Sequence, residues 1–435
     1  FTEIYYPDRN IWSAYAQMQI ARRDNTATLL PNGRILVTGG LTGTGISTVT
    51  ALTETTNIDD QEWVNAAPMQ IARMDHRATL MADGRVLVTG GLNSDTSIPA
   101  IATAEIYNPQ TNTWTPTASM KYPRALHQAV LLPDGRVMVA GGTARVVGTS
   151  GFINLASVEL FDPLTQTWSD GASLAAAKTD FTLTLLPNGC VLAVGGSNGS
   201  TYFDTVERYD PIVNTWTTLD PLPSARAAHS VTVMGDGRLL IAGGGYRDSI
   251  LHIANEYLIF DPALSKITFS TTMVHARIGH KAVLLMNGRI LIIGGATVSS
   301  DGLGTSELYT SGIGFAQSWR PIIQSMSAGN IGKGLTLSGT QFYGNGLSEA
   351  SGGGAQQSAG GVPLLLLYSL GNAQVKWIVP DRQQGFSDTS FMSEAIVDFP
   401  LGPAYAILYT NGIASDPYYF SLNQLREVYL PLLLR

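Results

Sequence analysis

The sequence predicts an all-β protein built from repeated four-stranded units, and three observations support this class. Residues 133–142 combine a tight Asp-Gly turn with a short apolar run and a glycine pair. This unit occurs six times, at intervals of 51, 51, 54, 48 and 51 residues between its turn glycines. Glycine is abundant, at 46 of 435 residues, and only 14% of the residues are charged. A period of about 50 residues with four strands in each unit is typical of a β-propeller with one blade per repeat.

The turn and the glycine pair each predict a local structure. Asp134 and Gly135 fit the positive-φ positions of a two-residue hairpin turn. The apolar run that follows has the length of a strand that is covered on both faces. Two consecutive glycines indicate a close approach between backbone segments or a requirement for positive φ. The turn glycines are Gly33, Gly84, Gly135, Gly189, Gly237 and Gly288, and the glycine pairs begin at Gly39, Gly90, Gly141, Gly195, Gly243 and Gly294.

Further positions recur in most units. A basic residue precedes each glycine pair, and a histidine follows that basic residue by three positions in four of the six units. Later in the unit a glutamate lies nine positions before a tryptophan, as in Glu105 and Trp114, with Tyr107 between them. Each unit is therefore predicted to contain a histidine strand, a glycine-pair strand, a glutamate strand and a tryptophan strand. The basic residues are Arg22, Arg73, Arg124, Lys178, Arg226 and Arg277, and the histidine positions are Asn25, His76, His127, Phe181, His229 and His280.

The glycine pair with its spaced tyrosine and tryptophan resembles the kelch repeat. The version with a Leu-Pro-Asp-Gly-Arg turn is similar to the bacterial and galactose-oxidase-like branch of kelch propellers, over about residues 1–310. The resemblance implies a kelch β-propeller in residues 1–319, with six blades as the first choice and seven as the alternative. We expect the N-terminal strand with Trp12 to close the last blade, where Glu3 and Glu307 would compete for one strand position.

The repeat pattern stops near residue 320. Residues 320–424 contain short alternating strands, about seven in about 100 residues, which predict an immunoglobulin-like β-sandwich. This segment also resembles the domain that follows the propeller in galactose-oxidase-like proteins. Residues 425–435 form an apolar C-terminal tail, which we interpret as an edge strand or a sorting element.

The composition limits the classes of partner and compartment. The formal net charge of −7 and the lack of a basic run argue against a nucleic-acid partner. No apolar stretch approaches the ~18 residues that a membrane-spanning helix needs. The single cysteine, Cys190, excludes an internal disulfide and a cysteine-based zinc site. The low charge, the scarcity of cysteine and the start at Phe1 predict a processed bacterial protein that is secreted or lies on the cell surface.

The resemblance to galactose oxidase implies a copper-radical site, and this sequence lacks its residues. That family holds copper with two tyrosines and two histidines, and it crosslinks one tyrosine to a cysteine. Here His280 matches one ligand, but Gly279 replaces its tyrosine neighbour and the crosslinked tyrosine would fall near Asp75. One ligand of four cannot hold copper in this way. Copper-radical activity is therefore predicted to be absent, and no other metal or cofactor is predicted.

The candidate binding residues fall into two groups around the predicted funnel. The basic residues could form a positive rim for carboxylate or sulfate groups, or each could pair with a recurring glutamate, which their presence in every unit favours. Non-repeating residues beside the inner strand are better candidates, and Asp24 and Asp75 occupy the same position in adjacent blades. The candidates are Arg22, Asp24, Arg73, Asp75, Arg124, Lys178, Arg226 and Arg277, with Arg23, Arg77, Tyr122, Asp180, Tyr246 and Arg247 as further non-repeating residues.

The sequence predicts a non-catalytic binding or assembly module that recognises a glycan or an extracellular protein through the funnel of the propeller. Two alternatives stay open. The first is a copper-independent carbohydrate-active enzyme, which needs a convergent pair of carboxylates or a His-Arg-Asp cluster at the axis. The second is a structural subunit of a surface filament or sheath, in which the chain associates with itself.

Overall fold

The computed structural model contains β-strands as its only regular elements in the described part of the chain. No helix in that part is long and apolar enough to cross a membrane. The predicted tail at 425–435 and three of the turn glycines lie outside the described residues. The described residues are 2–7, 9–30, 34–43, 48–56, 61–81, 83–93, 100–145, 151–186, 189–234, 238–262, 264–285, 289–298, 302–310, 321–327, 329–330, 332–340, 342, 364–369, 375–378, 386–387, 389–393, 395–396, 401–410, 413–416 and 418–423.

Five four-stranded antiparallel sheets follow one another along the chain and confirm the predicted strand order. We number them sheets 1 to 5; a sixth sheet has three strands among the described residues. Sheet 1 contains β4 (Thr26–Leu29), β5 (Ile35–Thr38), β8 (Thr53–Thr56) and β9 (Val64–Ala66), and sheet 2 contains β10 (Arg77–Leu80), β11 (Val86–Thr89), β12 (Ala104–Asn108) and β13 (Thr113–Thr117). Sheet 3 contains β14 (Gln128–Leu131), β15 (Val137–Ala140), β18 (Val158–Asp162) and β19 (Thr167–Gly171), and sheet 4 contains β20 (Thr182–Leu185), β21 (Val191–Val194), β22 (Val206–Asp210) and β23 (Thr215–Thr218). Sheet 5 contains β24 (Ser230–Val233), β25 (Leu239–Ala242), β28 (Glu256–Asp261) and β29 (Lys266–Thr272), and sheet 6 contains β30 (Lys281–Leu284), β31 (Ile290–Ile293) and β32 (Ser306–Tyr309).

The second strand of most sheets is fully buried. β11, β15, β21 and β25 are buried at every residue, as expected for a strand covered on both faces. The first strands of neighbouring sheets also contact one another from β4 through to β30. These histidine strands are therefore the inner strands of the assembly, and the repeated sheets are arranged around them.

A two-stranded hairpin lies at the N-terminus. It consists of β1 (Thr2–Tyr6) and β2 (Ile11–Tyr15). β2 pairs with β1, which places Trp12 opposite Tyr5, and the closure of the last blade by this strand stays a prediction. The hairpin meets sheet 6 through a hydrogen bond of 3.2 Å from Trp12 Nε1 to Ser306 Oγ. Glu3 and Glu307 consequently lie in different sheets, and the number of blades stays a prediction.

Small additional strands mark one end of the sheets, which we call the connection face. In every sheet, a residue just before the inner strand bridges to a residue just after the glycine pair, as Met74 does to Leu92 and Ala125 to Thr143. The connections from the glycine-pair strands to the glutamate strands therefore surround the ends at which the inner strands begin. The additional strands are β3 (Arg22–Arg23), β6 (Leu41–Thr42) and β7 (Thr48–Val49); β16 (Thr143–Arg145) and β17 (Phe152–Asn154); and β26 (Gly245–Arg247) and β27 (Leu251–Ile253).

The glycine pairs allow backbone and side chains to approach closely. Both glycines have positive φ in all six pairs, for example +59° at Gly39 and +98° at Gly40. A Cβ atom on Gly40 would lie 2.6 Å from the carbonyl oxygen of Arg23 in the same repeat. A Cβ atom on Gly39 would lie 2.9 Å from Cε1 of His76 in the next sheet. Both predicted reasons for the glycine pair are confirmed.

The C-terminal segment contains two further sheets. Buried apolar side chains of both, including Leu337 and Leu367, belong to one hydrophobic cluster. The series of short strands is confirmed, whereas the immunoglobulin-like class and the domain limits at 319 and 424 stay predictions. One sheet contains β33 (Ile322–Met326), β35 (Thr336–Thr340) and β38 (Ser390–Met392), and the other contains β34 (Gly329–Asn330), β36 (Leu364–Ser369), β37 (Val375–Ile378), β39 (Gly402–Thr410), β40 (Ile413–Ala414) and β41 (Tyr418–Asn423).

Candidate functional site

Six residues form a ring where the inner strands begin, and we call them the axial ring. Each directly precedes a histidine position and has a φ between +52° and +69°. The backbone N–H of Asp75 donates to the carbonyl oxygen of Asp24, at 3.1 Å, and Leu126 donates in the same way to Asp75. Four such bonds, each between neighbouring sheets, hold these residues close together at the connection face. Its members are Asp24, Asp75, Leu126, Asp180, Ala228 and Gly279.

Several charged groups meet at this ring. Asp24, Asp75 and Asp180 belong to it, and Arg77 and Lys281 are the first residues of inner strands directly below it. Burial, and after it the negative charge of Asp24, raise the pKa of Asp75 to about 6, although Arg77 opposes the shift. Burial likewise raises the pKa of Asp180. Burial and the charge of Arg77 lower the pKa of Lys281 to about 8.

The six basic residues predicted as a rim are buried and paired with glutamates. Nη1 of Arg73 donates to the carbonyl oxygen of Gly90 at 2.7 Å, and Nη2 donates to Glu105 at 2.7 Å. This contact network lies within one sheet, so it supports the structural interpretation; a binding role for these residues stays a prediction. The pairs are Arg22–Glu54, Arg73–Glu105, Arg124–Glu159, Lys178–Glu207, Arg226–Glu256 and Arg277–Glu307.

Sheet 5 takes its glutamate from a different position. In the strand register, Leu258 lies opposite Ile241, where sheet 2 places Glu105. Glu256, two residues earlier, supplies the carboxylate to Arg226 at 2.8 Å, and its side chain is 43% exposed. Comparison of the repeats by spacing missed this pair because the displaced glutamate breaks the regular interval.

The histidines connect neighbouring sheets. Nε2 of His76 lies 2.9 Å from Oγ1 of Thr38 and 3.1 Å from Oγ1 of Thr26, both in sheet 1. Burial and nearby arginines hold the pKa values of His76, His127 and His229 well below the usual range, and lower that of His280 to about 3. These imidazoles are therefore neutral and act as structural contacts. Among the described residues, no group of three or more His, Cys, Asp and Glu side chains could hold a metal ion.

The other candidates divide between the axial ring and the surface. The structure brings Arg23 and Arg77 to the ring aspartates, and Arg23 forms an exposed ion pair of 3.0 Å with Asp24. Tyr246 stacks on His252 in the β26–β27 hairpin, next to the exposed Arg247, with ring centroids 4.5 Å apart. Tyr122 is 38% exposed, in the connection that leads into sheet 3.

Sequence reasoning missed Lys281 and Gln128. Both begin an inner strand at the position that Arg77 holds in sheet 2, two residues after the axial ring. That shared position was the available indication, because a polar or charged residue there recurs in the aligned repeats.

We expect Asp75→Asn to stabilise the protein at neutral pH. The pKa of Asp75 is about 6 in the folded protein and 3.8 in its ordinary state, so its ionisation weakens the fold. The protonated carboxyl contributes stability that is fully present below pH ~4 and is lost as the pH rises through about 6. Urea unfolding should therefore show a gain of about 1–3 kcal/mol for the variant at pH ~7.5 and a smaller gain at pH ~4. The exposed Asp170 supplies the control, Asp170→Asn, and an equal gain at both pH values would contradict the expectation.

Comparisons with known proteins agree with the repeat pattern. The family described as the Kelch motif matches residues 76–121 and 185–223. Alpha-scruin from Limulus polyphemus is 31% identical over 180 residues, which are 40% of this chain and 19% of alpha-scruin. Kelch-like protein 15 from Homo sapiens is 27% identical over 185 residues, which are 39% of this chain and 29% of that protein. The chain therefore covers less than a third of the length of these relatives.

A solved structure of YjhT is similar to this chain in fold. The match covers 68% of this chain and 97% of that chain, with a TM-score of 0.52 and 17% sequence identity. An identity at this level concerns the fold alone. With the repeated antiparallel sheets and the matched motifs, this chain is an all-β protein that carries kelch repeats in a propeller-like arrangement.

Proposed function

We propose that this chain is a non-catalytic binding module whose ligand docks at the axial ring on the connection face. One observation carries the proposal: the non-repeating charges gather at the axis, whereas the repeated basic residues are engaged in ion pairs within their sheets. Burial of a charge is unfavourable unless a partner compensates it. Asp75 and Asp180 are not required by every repeat, so their presence at the axis supports a role outside the fold.

The partner in this proposal is a glycan or an extracellular protein, met by a secreted or surface-exposed protein. The carboxylates of the axial ring accept hydrogen bonds, so they suit hydroxyl or amine donors of a ligand. The connections around the ring offer apolar contact area, because Phe152 is 57% exposed and Ile153 is 50% exposed in β17. A charged centre with an apolar surround is a common arrangement in binding sites.

A glycan-array screen tests the proposal with Asp24→Asn and Asp75→Asn beside the wild-type protein. We expect both variants to bind about tenfold or more weakly, because each loses a charge-assisted hydrogen bond. Asp170→Asn, on an exposed ion pair with Lys121, should bind as the wild type does. Arg73→Ala is unsuitable as a probe, because it leaves the carboxylate of Glu105 buried without its partner.

Two results would count against this function. Full binding by Asp24→Asn and Asp75→Asn would place the ligand away from the axial ring. A blank array would exclude the glycans tested, and capture of a surface protein that is insensitive to both substitutions would exclude docking at the ring.

A second candidate is a copper-independent carbohydrate-active enzyme at the same place. The adjacent ring positions of Asp24 and Asp75, with a pKa of about 6 at Asp75, favour it because acid–base catalysis uses such carboxyls. Incubation of any bound glycan with the protein, followed by mass spectrometry, decides the matter. An unchanged glycan contradicts catalysis, and turnover that Asp75→Asn abolishes supports it.

A further inference from the structure

We infer that Arg77 and Gln128 form an anion-binding site directly below the axial ring, with Lys281 adding positive charge. This inference rests on the proposed function, because it specifies the ligand chemistry of the same site. The ligand would carry a single carboxylate or comparable oxyanion that passes the ring aspartates to reach Arg77.

The positions of these residues are set by the repeat. Arg77, Gln128 and Lys281 are the first residues of β10, β14 and β30, two positions after the axial ring in each sheet. β10 and β14 are contacting inner strands of neighbouring sheets. Arg77 and Gln128 therefore lie side by side directly below the ring, and each is 1% exposed.

These two side chains have few hydrogen-bond partners among the described residues. Arg77 makes one hydrogen bond among the described residues, a long one of 3.4 Å from Nη1 to the carbonyl oxygen of His76, and its Nε has no partner. Both amide atoms of the Gln128 side chain are buried without a partner. By contrast, the terminal nitrogens of Arg73 donate to Gly90, Thr103 and Glu105. Buried polar groups are normally satisfied by protein, water or ligand, so Arg77 and Gln128 have donors to offer to a ligand.

The surrounding charges indicate what the ligand is like. Arg77 interacts electrostatically with groups in other sheets, among them Asp180, His127 and Lys281, so the guanidinium lies near the axis. Two cations and an amide donor in a space of low dielectric favour an anion with two oxygens, which a guanidinium binds in a bidentate manner. The three ring aspartates repel a ligand with many negative charges. They favour one that combines a single anionic group with neutral hydrogen-bond donors.

The test compares acetate with acetamide, which have nearly the same shape but differ in charge. Calorimetric titration of the full chain, at an ionic strength held constant, is expected to show binding of acetate and not of acetamide. Arg77→Gln should weaken acetate binding about 10- to 100-fold, because it removes a charge-assisted, bidentate contact. Arg136→Gln is the matched control, because Arg136 forms a surface ion pair with Asp134. Equal binding of acetate and acetamide, or unchanged acetate binding by Arg77→Gln, would overturn the inference.

A second measurement keeps the inference testable if Arg77→Gln does not fold. Crystals soaked in sodium bromide should show an anomalous peak within hydrogen-bonding distance of the Arg77 guanidinium, and Gln128→Met should weaken acetate binding about tenfold. Bromide found only elsewhere, together with unaffected acetate binding by Gln128→Met, would contradict it. If the ring variants abolish glycan binding while acetate fails to bind, the proposed function stands and the anion site fails. If acetate binds and no macromolecular partner depends on the ring, the anion site stands and the proposed function fails.

Discussion

Replacement of Gly91 by alanine is expected to destabilise the protein by about 3–5 kcal/mol. Gly91 has a φ of +104°, a conformation that residues with a Cβ atom rarely adopt. An added Cβ would lie 2.6 Å from the carbonyl oxygen of Met74 and 2.9 Å from Cβ of His76. Neither neighbour can withdraw, because Met74 bridges to Leu92 and His76 is buried between two sheets. Urea unfolding of Gly91→Ala measures the loss.

Substitutions at two other glycines distinguish the effect of backbone strain from the effect of close contact. Gly135 has a φ of +84° but no atom within 4 Å of an added Cβ, so Gly135→Ala should lose only about 1–2 kcal/mol. Gly304 has neither restriction, and Gly304→Ala should change the free energy of unfolding by less than about 0.5 kcal/mol. Equal losses at Gly91 and Gly135 would show that the close approach between backbone segments does not matter.

Glu105→Ala is expected to destabilise the protein by about 3–5 kcal/mol. The substitution leaves the guanidinium of Arg73 buried without its counter-charge, although both side chains are 2% exposed or less in the native pair. Glu105 also accepts hydrogen bonds from the backbone N–H groups of Gln70 and Ile71, at 2.7 Å and 3.2 Å. Those donors would lose their acceptor in the connection that leads into the sheet. Chemical unfolding at neutral pH measures the loss.

The contribution of an ion pair to the free energy of unfolding depends on its exposure. An exposed pair therefore supplies a control for this prediction. Lys121 and Asp170 form a pair of 3.0 Å whose side chains are 55% and 65% exposed. Asp170→Ala should therefore cost at most about 1 kcal/mol. The double variant Arg73→Met/Glu105→Leu should lose less than Glu105→Ala alone, because it leaves no buried charge unpaired. A loss at Asp170 as large as that at Glu105 would refute the explanation.

The repeated features of the fold were predictable because repetition makes a local requirement visible. A glycine pair in six places indicated a shared steric cause, and the carbonyl oxygens beside Gly40 and Gly91 supply that cause. The constant interval from glutamate to tryptophan corresponds to a hairpin in which Tyr107 lies opposite Trp114. The same logic favoured pairing of the basic residues with glutamates, and the structure places Arg73 against Glu105.

The candidate site was only partly predictable, because its residues come from different sheets and do not repeat. The sequence singled out Asp24 and Asp75 by their equivalent positions in adjacent repeats. Arg77 and Lys281 hold the same position in their repeats, but their approach to one another depends on how the sheets are arranged around the axis. Glu256 illustrates a second limit: a two-residue displacement preserves the ion pair with Arg226 but hides it from a comparison by position.

The connections between the glycine-pair strands and the glutamate strands differ in length from sheet to sheet. Glu159 follows Gly141 by 18 positions, whereas Glu207 follows Gly195 by 12 positions. Both sheets nevertheless keep the buried ion pair and the positive-φ glycines, so length variation at the connection face leaves the core contacts intact. Lengthening a surface loop adds little entropic cost. The connections at the connection face can thus be exchanged one by one, while the glycine pair and the buried ion pair of each repeat preserve the scaffold.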